Sequence, residues 1–149
     1  MEKYQHILCA VDLTEDNKLI ARRAVELAQY YSAKLTLIHV VQDIPVDLGN
    51  EFVMPLHQEV GEQLVERAQE VLAALKASIE VSGVSLDITT TVVSGSTKHE
   101  IIDFLKMNKV DLVVTGRHGR HGLSRLLGST ASVIVHNAPC DVLTVHIKE

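Results

Sequence analysis

Five short apolar runs, separated by four stretches of different periodicity, constrain this chain more than any other feature. The first, Ile7-Leu8-Cys9-Ala10-Val11, ends at Asp12. The others are Lys34 to Val41, Leu86 to Val93, Val110 to Thr115 and Asp141 to Ile147. Each is short, continuous and bounded by turn residues, which reads as a buried strand. Between the first two, Ile20, Ala24, Leu27, Ala28 and Tyr31 recur at spacings of three and four, one face of a helix. Thr14, Asp16 and Asn17 are its candidate caps. Residues 42–54 show no period and read as a long loop. Pro55 then suits a first helical turn. From there Val60, Leu64, Ala68, Val71, Leu75 and Ile79 line a helix to about Val81, closed by Gly83. Thr97-Lys98-His99-Glu100 has the T-x-x-E form of a capping box. It opens a third helix, to about Asn108, that buries Ile101, Ile102 and Leu105. Ser129 opens a fourth, with Ala131, Ile134, Val135 and Ala138 on one side.

Strict alternation of strand and helix predicts an α/β fold of one domain, residues 1–149. It is an open five-stranded parallel sheet with helices on both faces, Rossmann-like, in strand order 3-2-1-4-5. The core is expected to be aliphatic: apolar residues make up 46%, with two Phe, three Tyr and no Trp. In such sheets the ligand crevice lies at the C-terminal strand ends, where the winding changes direction. Asp12 and Gly116 follow the first and fourth strands and should converge there.

Composition excludes several classes. A formal net charge of −5 argues against a general nucleic-acid binder. No run of 18 apolar residues exists, so no membrane span is expected. The first apolar run is shorter than a signal peptide requires, which predicts a cytoplasmic chain. Cys9 and Cys140 form no C-x-x-C pair and read as reduced thiols packed as small hydrophobes.

The chemistry concentrates in Gly116-Arg117-His118-Gly119-Arg120-His121-Gly122, followed by Gly128-Ser129-Thr130. Glycine lets a backbone approach a ligand closely, and a helix N-terminus attracts anions. The segment is not a P-loop, no dinucleotide fingerprint follows the first strand, and no nucleophile elbow occurs. Backbone N–H groups of Gly128, Ser129 and Thr130 could donate to phosphate oxygens at a helix end carrying roughly half a positive charge. Arg117, Arg120 and Arg125 add positive potential. Asp12 could accept hydrogen bonds from a ribose hydroxyl or an adenine amino group. Backbone groups near His39 and Val40 could meet a base edge. Against this, glycines after a strand are ordinary punctuation, and Asp12 would equally cap the first helix. His118 and His121 lack a third ligand, so no metal site is expected. His39 is expected to serve packing and a local hydrogen bond. No catalytic residue is evident.

These motifs together resemble the universal stress protein family. Ile7 to Asp12 resembles its first strand and terminal Asp, and Leu37-Ile38-His39-Val40 its second strand. Asp111 to Gly119 resembles the strand and first half of its nucleotide motif, and Ala138-Pro139-Cys140-Asp141-Val142-Leu143 its closing turn and last strand. The family's ATP-binding members carry G-x2-G-x9-G-[ST]. Here Gly119 and Gly128 enclose eight residues, one fewer, with Gly-Ser-Thr intact. The resemblance implies the adenine nucleotide alpha hydrolase-like form of the fold. It implies a site for ATP or AMP, with Mg²⁺ as an accompanying ion, at Ala10, Val11, Asp12, Val40, Gly116, Arg117, His118, Gly119, Gly128, Ser129 and Thr130. It also implies a homodimer through the last strand, Val142 to Ile147, whose apolar edge favours pairing. The leading expectation is a nucleotide-binding dimeric regulator of the stress response, with at most slow ATPase activity. The alternative is a nucleotide-free dimeric interaction module. An adenylyl-transferring enzyme is a weaker third, for want of a second substrate pocket.

Overall fold

The computed structural model describes residues 3–42, 53–118 and 129–147. Its elements run β1 (His6–Ala10), α1 (Asn17–Tyr31), β2 (Lys34–Gln42), α2 (Val53–Val81), β3 (Ile88–Gly95), α3 (Thr97–Met107), β4 (Leu112–His118), α4 (Ser129–Asn137) and β5 (Asp141–Ile147). The strands form one parallel sheet, as the alternating pattern predicts, in the expected order β3-β2-β1-β4-β5.

Strand alternation splits the core into two layers. On one face Ile7, Cys9, Leu35, Leu37, Leu112 and Val114 pack against Ile20, Ala24 and Ala28 of α1 and Ala68, Leu72 and Leu75 of α2. On the other, Leu8, Ile38 and Val113 meet Ile101, Ile102 and Leu105 of α3 and Ile134 of α4. Both faces of the central strands are thus covered by aliphatic side chains, which is why those strands read as unbroken apolar runs.

Polar groups pin the opposite end of the sheet. Asp111, just before β4, accepts from the backbone amides of Gln5 (2.8 Å) and His6 (3.1 Å). His6 Nδ1 lies 3.1 Å from the Asn108 carbonyl, so that nitrogen carries the proton. Its Nε2 then accepts from Thr36 Oγ1 (2.8 Å), which in turn accepts from Thr89 Oγ1 (2.9 Å). Thr36 is 2% exposed, and this chain across three strands satisfies its hydroxyl.

Several expectations need correction. β4 continues through Gly116, Arg117 and His118, which were expected to belong to a loop. Pairing with Val145, His146 and Ile147 of β5 holds them in the ladder. β1 stops at Ala10, and β3 runs Ile88–Gly95 in register with β2 as far as Gln42↔Gly95. Thr97 is not a cap. It is the first residue of α3, because β3 extends to Gly95 and leaves only Ser96 as the N-cap. The Ser96 side chain makes no capping bond. On α2, Leu72 is fully buried whereas Val60 is 40% exposed. A helix of 29 residues spans about 43 Å, more than the strands it covers. Val135 of α4 is likewise exposed, and α1 buries Ala21 and Val25 besides the expected face.

Candidate functional site

The strands end at different heights. β1 finishes at Ala10, while its neighbours β2 and β4 continue to Gln42 and His118. The helix after β1 packs on one face of the sheet and the helix after β4 on the other. A cleft of about 340 Å³ opens above the shortened central strand. Its floor and near wall come from Ala10, Val11 and Asp12, with Ile20 of α1. Ile38, His39, Val40 and Gln42 of β2 form one side, and Thr115 and Gly116 of β4 the other. Thr97 and Ile101 of α3, and Thr130 and Ala131 at the start of α4, complete it.

Hydrogen bonds hold the exit of β1 at Val11 and Asp12. The Val11 amide donates to the Ile38 carbonyl at 2.8 Å. The Val11 carbonyl accepts from His39 Nδ1 at 2.7 Å, which places the proton of the neutral ring on that nitrogen. Asp12 Oδ1 accepts from the Thr14 amide (3.0 Å) and the Thr14 hydroxyl (2.5 Å), a local turn that orients the carboxylate at the cleft wall. Backbone polar groups alternate sides along a strand. Since the Ile38 carbonyl faces β1, the amide and carbonyl of Val40 face the same way, past the last residue of β1 and toward the cleft.

On the far wall, α4 presents its N-terminal turn, with Thr130 and Ala131 at the cleft. The partial positive charge of that helix end favours an anion. Between β2 and α3, Gln42 Nε2 donates to Thr97 Oγ1 at 2.7 Å. Cys9 lies beneath, fully buried. Burial, with a smaller contribution from the Asp12 charge, pushes its thiol up to about 12. It is therefore inert as a nucleophile at neutral pH.

Of the residues singled out from the sequence, Ala10, Val11, Asp12, Val40, Gly116 and Thr130 line this cleft. Arg117 pairs with His146 in the ladder and is not among the lining residues. His118 ends β4 opposite Ile147, and Ser129 is the first residue of α4. Gly119 and Gly128 lie outside the described residues. Gly116 has a packing role that its sequence context hides. A Cβ there would sit 2.5 Å from Ile20 Cδ1 and 3.0 Å from Ile147 Cδ1, so α1 and β5 require the glycine. Gln42, Thr97 and Ile101 were not foreseen as cleft residues. The available signal was positional: Gln42 ends the second apolar run, and Thr97 opens the helix after the third.

Fold and cleft together define a doubly wound parallel α/β protein with its crevice at the switch between β1 and β4. The family model of the universal stress protein family matches residues 3–146. The chain belongs to that family. It is 37% identical over 146 residues to universal stress protein A homolog 1 of Coxiella burnetii, covering 98% of this chain and 99% of that one. Among solved structures, universal stress protein UspA from Lactobacillus plantarum superposes with a TM-score of 0.83 at 28% identity, covering 97% and 99% of the two chains. Two more distant members share the fold: one solved in complex with cAMP (TM-score 0.67, 20% identity) and one from Archaeoglobus fulgidus in complex with dAMP (TM-score 0.59, 17% identity). Among the described residues no helix is long and apolar enough to cross a membrane.

Proposed function

We propose that this chain binds ATP or AMP in the cleft above β1 and acts as a dimeric regulator in a stress response. The observation that carries the reading is the early end of β1. It turns a backbone donor and acceptor, both on Val40, toward a cleft whose opposite wall is the N-terminus of α4. An adenine ring offers an acceptor nitrogen beside an amino donor, the complement of one backbone amide and one carbonyl. Asp12 stands where a ribose hydroxyl would donate to it. The first amides of α4, with Gly128 and Ser129 of the motif, would take phosphate oxygens, and Gly116, Arg117, His118 and Gly119 would border the phosphate path. The Lewis acidity of an accompanying Mg²⁺ would offset triphosphate charge. The cAMP and dAMP complexes of the two distant members support an adenine nucleotide as the ligand class. Among the described cleft residues, the Asp12 carboxylate is engaged by Thr14 and the His39 imidazole by the Val11 carbonyl, so turnover should be slow. Dimer formation is proposed through the exposed edge of β5.

The test is direct. The pure protein is denatured and its small molecules are identified by mass spectrometry, then the stripped protein is titrated with ATP and AMP by calorimetry. An adenine nucleotide is expected to copurify or bind, and Gly119→Val should abolish it by filling the phosphate path. Finding no nucleotide and no heat would leave the nucleotide-free interaction module. Light scattering should return the mass of a dimer.

A further inference from the structure

The rung that is missing between β1 and β2 has a specific replacement. Parallel pairing runs from His6↔Lys34 to Ala10↔Ile38, and its last backbone bond joins the Val11 amide to the Ile38 carbonyl. In a parallel ladder the next bond would run from the Val40 amide to the Val11 carbonyl. The pairing stops one step short of it, although β2 continues past Val40 to Gln42. The Val11 carbonyl is instead taken by a side chain, His39 Nδ1, at 2.7 Å. His39 and Val11 share the α1 face of the sheet by alternation, so the imidazole reaches this carbonyl without crossing the sheet.

We infer that His39 is a positioning residue for the ligand. Its imidazole holds the Val11 carbonyl off the line of the Val40 amide, and so keeps that amide available to a base edge in the cleft. The same bond fixes the direction in which the chain leaves β1 at Asp12. One imidazole thereby sets both the base-facing donor and the carboxylate wall. The donor to Val11 is the nitrogen at the δ position of His39. This inference deepens the proposed nucleotide reading and rests on it for the identity of the ligand. The substitution of one hydrogen-bond donor for another does not depend on that reading.

The experiment compares wild type, His39→Leu and His39→Asn, each stripped of nucleotide and checked for folding by circular dichroism. Asparagine keeps a donor nitrogen at the δ position, and leucine has none. Hydrogen exchange of the Val40 amide is followed by NMR, and ATP affinity by calorimetry. In nucleotide-free wild type the Val40 amide should exchange readily, and ATP should slow it. In His39→Leu the ladder should gain its missing rung. The Val40 amide should then be protected without nucleotide, and ATP should bind about tenfold more weakly, the scale of one lost hydrogen bond. His39→Asn should restore both values toward wild type. The inference is overturned if the Val40 amide of folded His39→Leu exchanges as in wild type, or if His39→Asn behaves as His39→Leu does. Absence of ATP binding in wild type would remove the nucleotide reading alone, and the exchange comparison would still decide the role of His39.

Discussion

Gly116 shows how a residue can be noticed in the sequence for one reason and required in the structure for another. Its place after an apolar run marked it as part of a ligand loop. In the fold it is a strand residue whose missing Cβ makes room for Ile20 and Ile147. Gly116→Ala should therefore overpack the core and cost about 1–3 kcal/mol, read as a lower thermal midpoint. Adding Ile20→Val, which removes the clashing methyl, should recover part of the loss. Recovery in the double variant would distinguish packing from lost ligand binding. The cysteines behave as their sequence contexts suggest. Burial pushes Cys9 to about 12 and Cys140 to about 11, with lesser contributions from nearby carboxylates. At pH 8 both should react with a thiol reagent on the order of a hundredfold or more slowly than in the unfolded chain. At Tyr4 the hydroxyl bond to Asp141 (2.7 Å), followed by burial, raises the phenol from 10.0 to about 12. The folded state thus holds this proton more tightly than the unfolded chain does. The bond's contribution is present in full below about pH 10 and is lost between about pH 10 and 12. The stability difference between wild type and Tyr4→Phe, measured in urea, should shrink over that interval.

At the scale of elements, existence was legible and boundaries were less so, for identifiable physical reasons. Periodicity located the four helices of the described residues, because each buries one face against the sheet. It could not say where the sheet stops supporting a helix. Val60 and Leu72 are both apolar residues of α2, yet only Leu72 is fully buried. Leu72→Ala should cost about 2–5 kcal/mol, whereas Val60→Ser should stay within about 0.5 kcal/mol, both by chemical denaturation. The T-x-x-E pattern at Thr97 misplaced the start of α3, since strand pairing as far as Gly95 shifts the cap to Ser96. Ser96 makes no side-chain capping bond, so Ser96→Ala should cost less than the ~1 kcal/mol typical of a lost cap. The exit of β1 was the least legible feature. A hydrogen bond from His39 was expected, but no local pattern announces that its partner is a carbonyl at the end of β1, 28 residues away.

For the whole molecule, the parallel sheet followed from alternation, the strand order is the expected one, and the cleft fell where that order reverses, with Asp12 and Gly116 both lining it. If the cleft binds ATP, a ligand concentration of about a hundred times Kd should add about 2.7 kcal/mol to stability and raise the thermal midpoint by several degrees. Differential scanning fluorimetry with and without ATP would show it. The order β3-β2-β1-β4-β5 also carries a consequence for synthesis. As the chain leaves the ribosome, β1, β2 and β3 can pair in sequence, but one edge of β1 waits for β4, which begins at Leu112. Until then the apolar flank of Ile7, Leu8 and Cys9 stands open, and Asp111 has not yet arrived to clasp the amides of Gln5 and His6. The nascent protein therefore passes through an interval with one edge of its central strand unpaired, and that is when it would most need a chaperone.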